Sequence, residues 1–73
     1  MQVTIYMLHD GKFLEIIIDN FKELTCFYGN ANRTFKDDLS NLKIYDDTTY
    51  NFKGDTQVSL TGSKIGYIEL SNS

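Results

Sequence analysis

With 73 residues, 41% of them hydrophobic and 23% charged, the chain has room for a single domain with one core and is too apolar to be disordered. A formal net charge of −3 argues against the basic footprint of a general nucleic-acid binder. One cysteine excludes an internal disulfide, and with one histidine it excludes a four-ligand zinc site, so self-association is the staple left to so small a core.

The six lysines and Arg33 are dispersed, with no two adjacent. No basic stretch precedes the first apolar run and Asp10 interrupts it, so neither a secretory leader nor a membrane span is expected and the cytoplasm is the expected location. Proline is absent, Ala31 and Arg33 are single, and Ile, Asn, Lys, Tyr and Phe abound, the usage of an AT-rich coding sequence. That usage points to a low-GC bacterium or its phages.

In chain order, the first element is a hairpin over residues 2–19. Asp10-Gly11 lies at the centre of His9-Asp10-Gly11-Lys12, the two-residue turn chemistry that suits right-twisted strands. Counting back from that turn pairs Leu8 with Phe13, Tyr6 with Glu15, Ile5 with Ile16, and Val3 with Ile18. One face then reads Val3, Ile5, Met7, Leu14, Ile16, Ile18, an expected core face, and the other reads Thr4, Tyr6, Leu8, Phe13, Glu15, Ile17. Next, Asn20-Phe21-Lys22-Glu23 matches a capping box, Phe21, Leu24, Phe27 and Tyr28 recur at helical spacing, and Gly29 stands where a helix-ending glycine would. A short helix over 21–28 is predicted, against a competing strand from Leu24 to Tyr28. A second cap at Thr34, with Phe35, Leu39 and Leu42 at i, i+4 and i+7, predicts a short helix over about 35–41. Residues 42–46 and 48–53 then read as strands, the latter ending at Gly54-Asp55. Finally Thr61-Gly62-Ser63-Lys64 predicts a second hairpin over 56–70, with Val58, Leu60, Ile65 and Tyr67 on its core face. The expected class is α+β, mostly antiparallel β, with an all-β small barrel as the alternative.

No phosphate loop, dinucleotide fingerprint, nucleophile elbow or zinc-protease motif occurs, and the chain is expected to be neither an enzyme nor a cofactor or metal carrier. His9 beside Asp10 flanks an exposed turn, and Cys26 in an aromatic-rich stretch is read as a small buried hydrophobe. Half of the ten carboxylates, Asp37, Asp38, Asp46, Asp47 and Asp55, lie between 37 and 55. Their spacing fits no calcium loop, and they are either a solvated face or imitators of phosphates that dock on a basic groove. The second face of the first hairpin offers Tyr6, Leu8, Phe13 and Ile17 as apolar anchors, either covered by the expected helix or buried against a twin or a partner.

The run Val3-Thr4, Asp10-Gly11-Lys12, Phe21, Leu24 and Tyr28-Gly29-Asn30 resembles the layout of the small phi29-type phage inhibitors of uracil-DNA glycosylase over roughly the first 30 residues. The resemblance implies an acidic hairpin-helix-strand protein that dimerises and imitates DNA. It further implies Phe21 as the plug for a target's pocket and the carboxylates as phosphate mimics. The expected hairpin over 56–70 has no counterpart there. The function expected from these signals is a small phage-encoded inhibitor or modulator, of the anti-CRISPR or DNA-mimic kind, that blocks a host nucleic-acid-handling or defence protein by occupancy. The alternatives are a self-assembling structural subunit joined through Tyr6, Leu8, Phe13 and Ile17, and a nucleic-acid-binding barrel stacking bases on Tyr45, Tyr50 and Phe52. Neither membrane nor direct nucleic-acid contact is part of the leading expectation.

Overall fold

The Asp10-Gly11 turn forms as its chemistry requires, with φ of 52° at Asp10 and 77° at Gly11. It joins β1 (Gln2–His9) to β2 (Lys12–Ile18) in the register counted from the sequence, Val3 opposite Ile18 through His9 opposite Lys12. The computed structural model describes residues 1–72. No helix of the described residues is long and apolar enough to cross a membrane.

After β2 the chain leaves this sheet and builds a second one from β3 (Glu23–Tyr28), β4 (Ala31–Phe35), β5 (Thr49–Lys53) and β6 (Gln57–Thr61). A 3₁₀ turn at Gly62–Lys64 then returns it to the first sheet as β7 (Ile65–Ser71). The two sheets are antiparallel throughout, with strand orders β2-β1-β7 and β4-β3-β5-β6, and neither closes into a barrel. Val3, Ile5, Ile18 and Ile65 of the first sheet share one cluster with Leu24, Cys26, Phe35, Tyr50 and Phe52 of the second, so both sheets depend on a common core.

The helix expected over 21–28 is a strand. Leu24, Cys26 and Tyr28 turn toward the core while Thr25 and Phe27 face out, a period of two that the helical spacing of Phe21, Leu24 and Phe27 masked. The capping box is dissolved by tertiary pairing. Asn20 takes a left-handed φ of 51°, and its side-chain amide donates to Asp55 Oδ2 at 2.9 Å rather than capping a helix. The N–H groups of Phe21 and Lys22 bond the carbonyls of Met1 and Lys53, each at 2.8 Å. Gly29, with φ of 57°, serves the two-residue turn between β3 and β4, for which a positive φ is as useful as for a helix end. The expected helix over 35–41 is likewise absent. One i→i+3 bond, Leu42 N–H to the Leu39 carbonyl at 3.0 Å, is the helical trace there, and residues 42–46 run as loop instead of strand.

The hairpin expected over 56–70 does not form. β6 pairs with β5 and β7 with β1, so Gly62 marks a crossing between sheets. Its role is volume: a Cβ there would overlap the Tyr45 carbonyl, and its φ lies outside the positive range that the expected turn needed. The register of β7 also shifts by a bulge opposite Tyr6 and Met7. Ile65 is buried, but beyond the bulge Ile68 takes the inward position and Tyr67, expected in the core, faces solvent.

Candidate partner-binding face

The outward side of the first sheet follows from its register. Across the three strands lie the rows Ile17-Thr4-Glu69 and Glu15-Tyr6-Tyr67, and beyond them Phe13 beside Leu8. Leu8, Phe13, Ile17 and Tyr67 are each 42–55% exposed, and no helix covers them. Three rings are organised. Tyr6 and Tyr67 stack with centroids 4.1 Å apart at 16°, and Phe13 meets Tyr67 edge-on at 5.9 Å and 68°. The Phe13 ring lies over Gly66, where a Cβ would overlap its Cε1, so the bulge glycine makes the slot that holds this ring.

Two carboxylates, Glu15 and Glu69, share this face, and the register brings no lysine or arginine to it. Among the described residues neither forms an ion pair; the one such contact is His9 Nε2 to Asp10 Oδ2 at 3.4 Å on the hairpin tip. Partial burial, reinforced by Glu69 and then Glu15, raises the Tyr6 hydroxyl above its ordinary pKa. The face is thus apolar, aromatic and acidic at once.

The other expected site residues are distributed differently. Phe21 is buried in the core, packed beneath the sheets where no pocket of a partner can reach it. Tyr50 and Phe52 have no exposure, which removes two of the three rings expected to stack on bases. Asp37, Asp38, Asp46, Asp47 and Asp55 are all exposed but do not form one row. Asp47 lies just before β5 and Asp55 just after it, and that five-residue strand alone separates them by about 17 Å at ~3.3 Å per residue. Antiparallel pairing through β3 puts Asp37 and Asp38 at the Asp55 end. Asp38 accepts the Ser40 N–H at 2.9 Å, and its bonds to Ser40 lower its pKa. Asp55 receives the Asn20 amide, and its own N–H bonds the Asp19 carbonyl at 2.9 Å, so it pins a corner. Among the described residues no three His, Cys, Asp or Glu side chains converge as a metal site. Cys26 is fully buried, and burial pushes its thiol pKa up, the opposite of an activated nucleophile.

Sequence reasoning missed Tyr67 and Glu69, because it placed their strand in the wrong hairpin. The signal available was Gly66, an isolated glycine in a strand pattern, which marks a bulge or a close approach. Neither a family model, nor a curated protein, nor a solved structure matches the chain.

Proposed function

We propose that the protein is a small inhibitor or modulator that acts by occupying another protein through the outward face of its first sheet. The observation that carries this reading is the combination of four exposed apolar anchors with two unpaired carboxylates on a face whose paired strand positions include no lysine or arginine. A partner complementary to it offers apolar pockets and basic side chains together, which is the surface of a nucleic-acid-handling protein beside its phosphate-binding groove. The separated aspartates at the two ends of β5 add long-range attraction to the same partner. The face fits a twin copy poorly. Stacking it on itself would gather four carboxylates with no lysine or arginine at the paired strand positions between them, and burial of unpaired charge is costly.

The test is affinity capture of the tagged protein from nuclease-treated low-GC bacterial lysate, run beside a Leu8→Thr/Ile17→Thr variant and a Ser59→Ala control on the other sheet. The expected result is one nucleic-acid-binding protein held by the wild type and the control, released by raised salt, and lost by the Leu8/Ile17 variant. Equal retention by that variant overturns the assignment of the face, and recovery of the bait alone as a stable oligomer favours the self-assembling subunit.

A further inference from the structure

On the far side of the second sheet from Asp55, a cleft of about 620 Å³ opens between the end of β3, the edge strand β4 and the loop of residues 36–48. Its volume lies within the ~300–1,000 Å³ of small-molecule sites. Arg33 and Lys43, two of the seven basic residues of an acidic chain, both line it together with Tyr45, Asn41 and Asp47. Among the described residues neither cation has an ion-pair partner. Arg33 is nonetheless oriented, because its guanidinium sits 4.8 Å over the centroid of the Phe35 ring.

The opposite wall is a loop, yet it is built. Thirteen residues without strand or helix join β4 to β5, a length that in compact domains is usually functional or disordered. Here the loop is fastened from below by Tyr50. The hydroxyl of this fully buried ring donates to the Lys43 carbonyl at 2.9 Å and accepts the Tyr45 N–H at 2.8 Å, fixing the backbone of both residues that face the cleft. The Thr48 carbonyl, bonded by Gly62 N–H at 2.8 Å, and the Asp46 carbonyl, bonded by Ser63 N–H at 3.2 Å, tie the loop to the crossing turn. Tyr45 is about half exposed and meets Tyr28 at 80° with centroids 6.0 Å apart, an arrangement that leaves at least one of its faces uncovered by Tyr28. A pre-ordered site loses little entropy when a ligand enters.

From this arrangement we infer that the cleft binds a free mononucleotide, with its phosphate between Arg33 and Lys43, its base against Tyr45, and Asp47 accepting hydrogen bonds from sugar or base donors. Planar Arg33 suits a phosphate bidentately, Lys43 adds a point charge, and an exposed tyrosine ring stacks any base without sequence preference. A long nucleic-acid strand fits less well. Asp47 lines the cleft, Asp46 precedes it in the chain, and the chain as a whole is acidic, so each further phosphate would meet growing repulsion.

The experiment is NMR titration of the isotope-labelled protein with AMP, GMP, CMP and UMP in turn, with inorganic phosphate, adenosine and an eight-base deoxythymidine oligomer as separate arms. The expected result is saturable shifts at Arg33, Lys43 and Tyr45 with Kd below about 1 mM for at least one mononucleotide, weakened roughly tenfold by Arg33→Gln and by Tyr45→Ala. Both substitutions are at exposed side chains, and unchanged spectra away from the cleft certify their fold. Absence of saturable shifts with all four mononucleotides overturns the inference. Binding of phosphate alone as tight as any nucleotide, or binding unchanged by both substitutions, overturns it as well. Oligomer binding much tighter than that of any mononucleotide reassigns the cleft to single strands.

Discussion

The two sheets share a core but differ in what they show to solvent. The outward side of the second sheet carries Glu23, Thr25, Asn32, Thr34, Thr49, Asn51, Lys53, Gln57, Ser59 and Thr61, with Phe27 the single large apolar exception. It has the cross-strand features of a solvated face, Thr25 and Thr34 hydroxyls 3.2 Å apart and Glu23 in register with Lys53. The outward side of the first sheet carries Leu8, Phe13, Ile17, Tyr6 and Tyr67. Threonine and asparagine suffice on one face, so the fold itself does not demand rings on the other, and the proposed partner-binding role accounts for the difference.

This contrast can be broken most severely from within. Phe52→Ala empties a fully buried site shared by both sheets. A loss of about 3–5 kcal/mol is expected, comparable with the whole stability of a domain this size at ~0.05–0.15 kcal/mol per residue. Circular dichroism at 25 °C should then show a largely unfolded chain in which both faces vanish together. Gly62→Ala forces a Cβ against the Tyr45 carbonyl and strains the one link by which β6 passes to β7. A cost of about 1–3 kcal/mol in urea unfolding is expected. Tyr50→Phe leaves the Lys43 carbonyl and Tyr45 N–H without their shared partner, for about 1–3 kcal/mol, and loosens the 36–48 loop in hydrogen exchange while sparing the first sheet.

Smaller perturbations sharpen the contrast instead. Ile17→Thr gives the first sheet the residue type of the second. Stability should change by less than about 1 kcal/mol, the span of strand propensities, while partner capture is lost. Alkaline pH gives the mildest test. Burial raises the Tyr28 hydroxyl from 10.0 to about 12 in the folded chain. A raised folded pKa adds stability that is fully present below the unfolded value and disappears as pH climbs through the folded one. Melting temperature should therefore fall between pH 10 and about 12, and fall less in Tyr28→Phe.

Local chemistry was legible where it settled the structure unaided. Asp10-Gly11 set a turn, and with period-two alternation it set every pairing of β1 with β2. It thereby placed Tyr6, Leu8, Phe13 and Ile17 on one face. Leu14, although on the expected core side, is exposed because the hairpin tip reaches past the end of the core. Legibility stopped where a residue has two uses. Gly29 serves a hairpin as well as a helix end, Gly62 relieves a close contact as well as it would make a turn, and Gly66 moves Tyr67 from core to surface through a bulge. The 36–48 wall of the cleft was invisible for a related reason. Its order comes from the Tyr50 hydroxyl, whose partners are backbone groups five and seven residues away, and from the Gly62 and Ser63 N–H groups of the crossing turn, none of which a local sequence pattern marks.

The most direct test of the functional difference between the faces is an NMR footprint of the labelled protein bound to its captured partner. Protection and shifts centred on Thr4, Tyr6, Phe13, Glu15, Ile17, Tyr67 and Glu69, with Thr25, Thr34, Asn51 and Ser59 unmoved, are the result this account predicts. A footprint centred on the second sheet, with the first sheet's aromatic face unmoved, would contradict it.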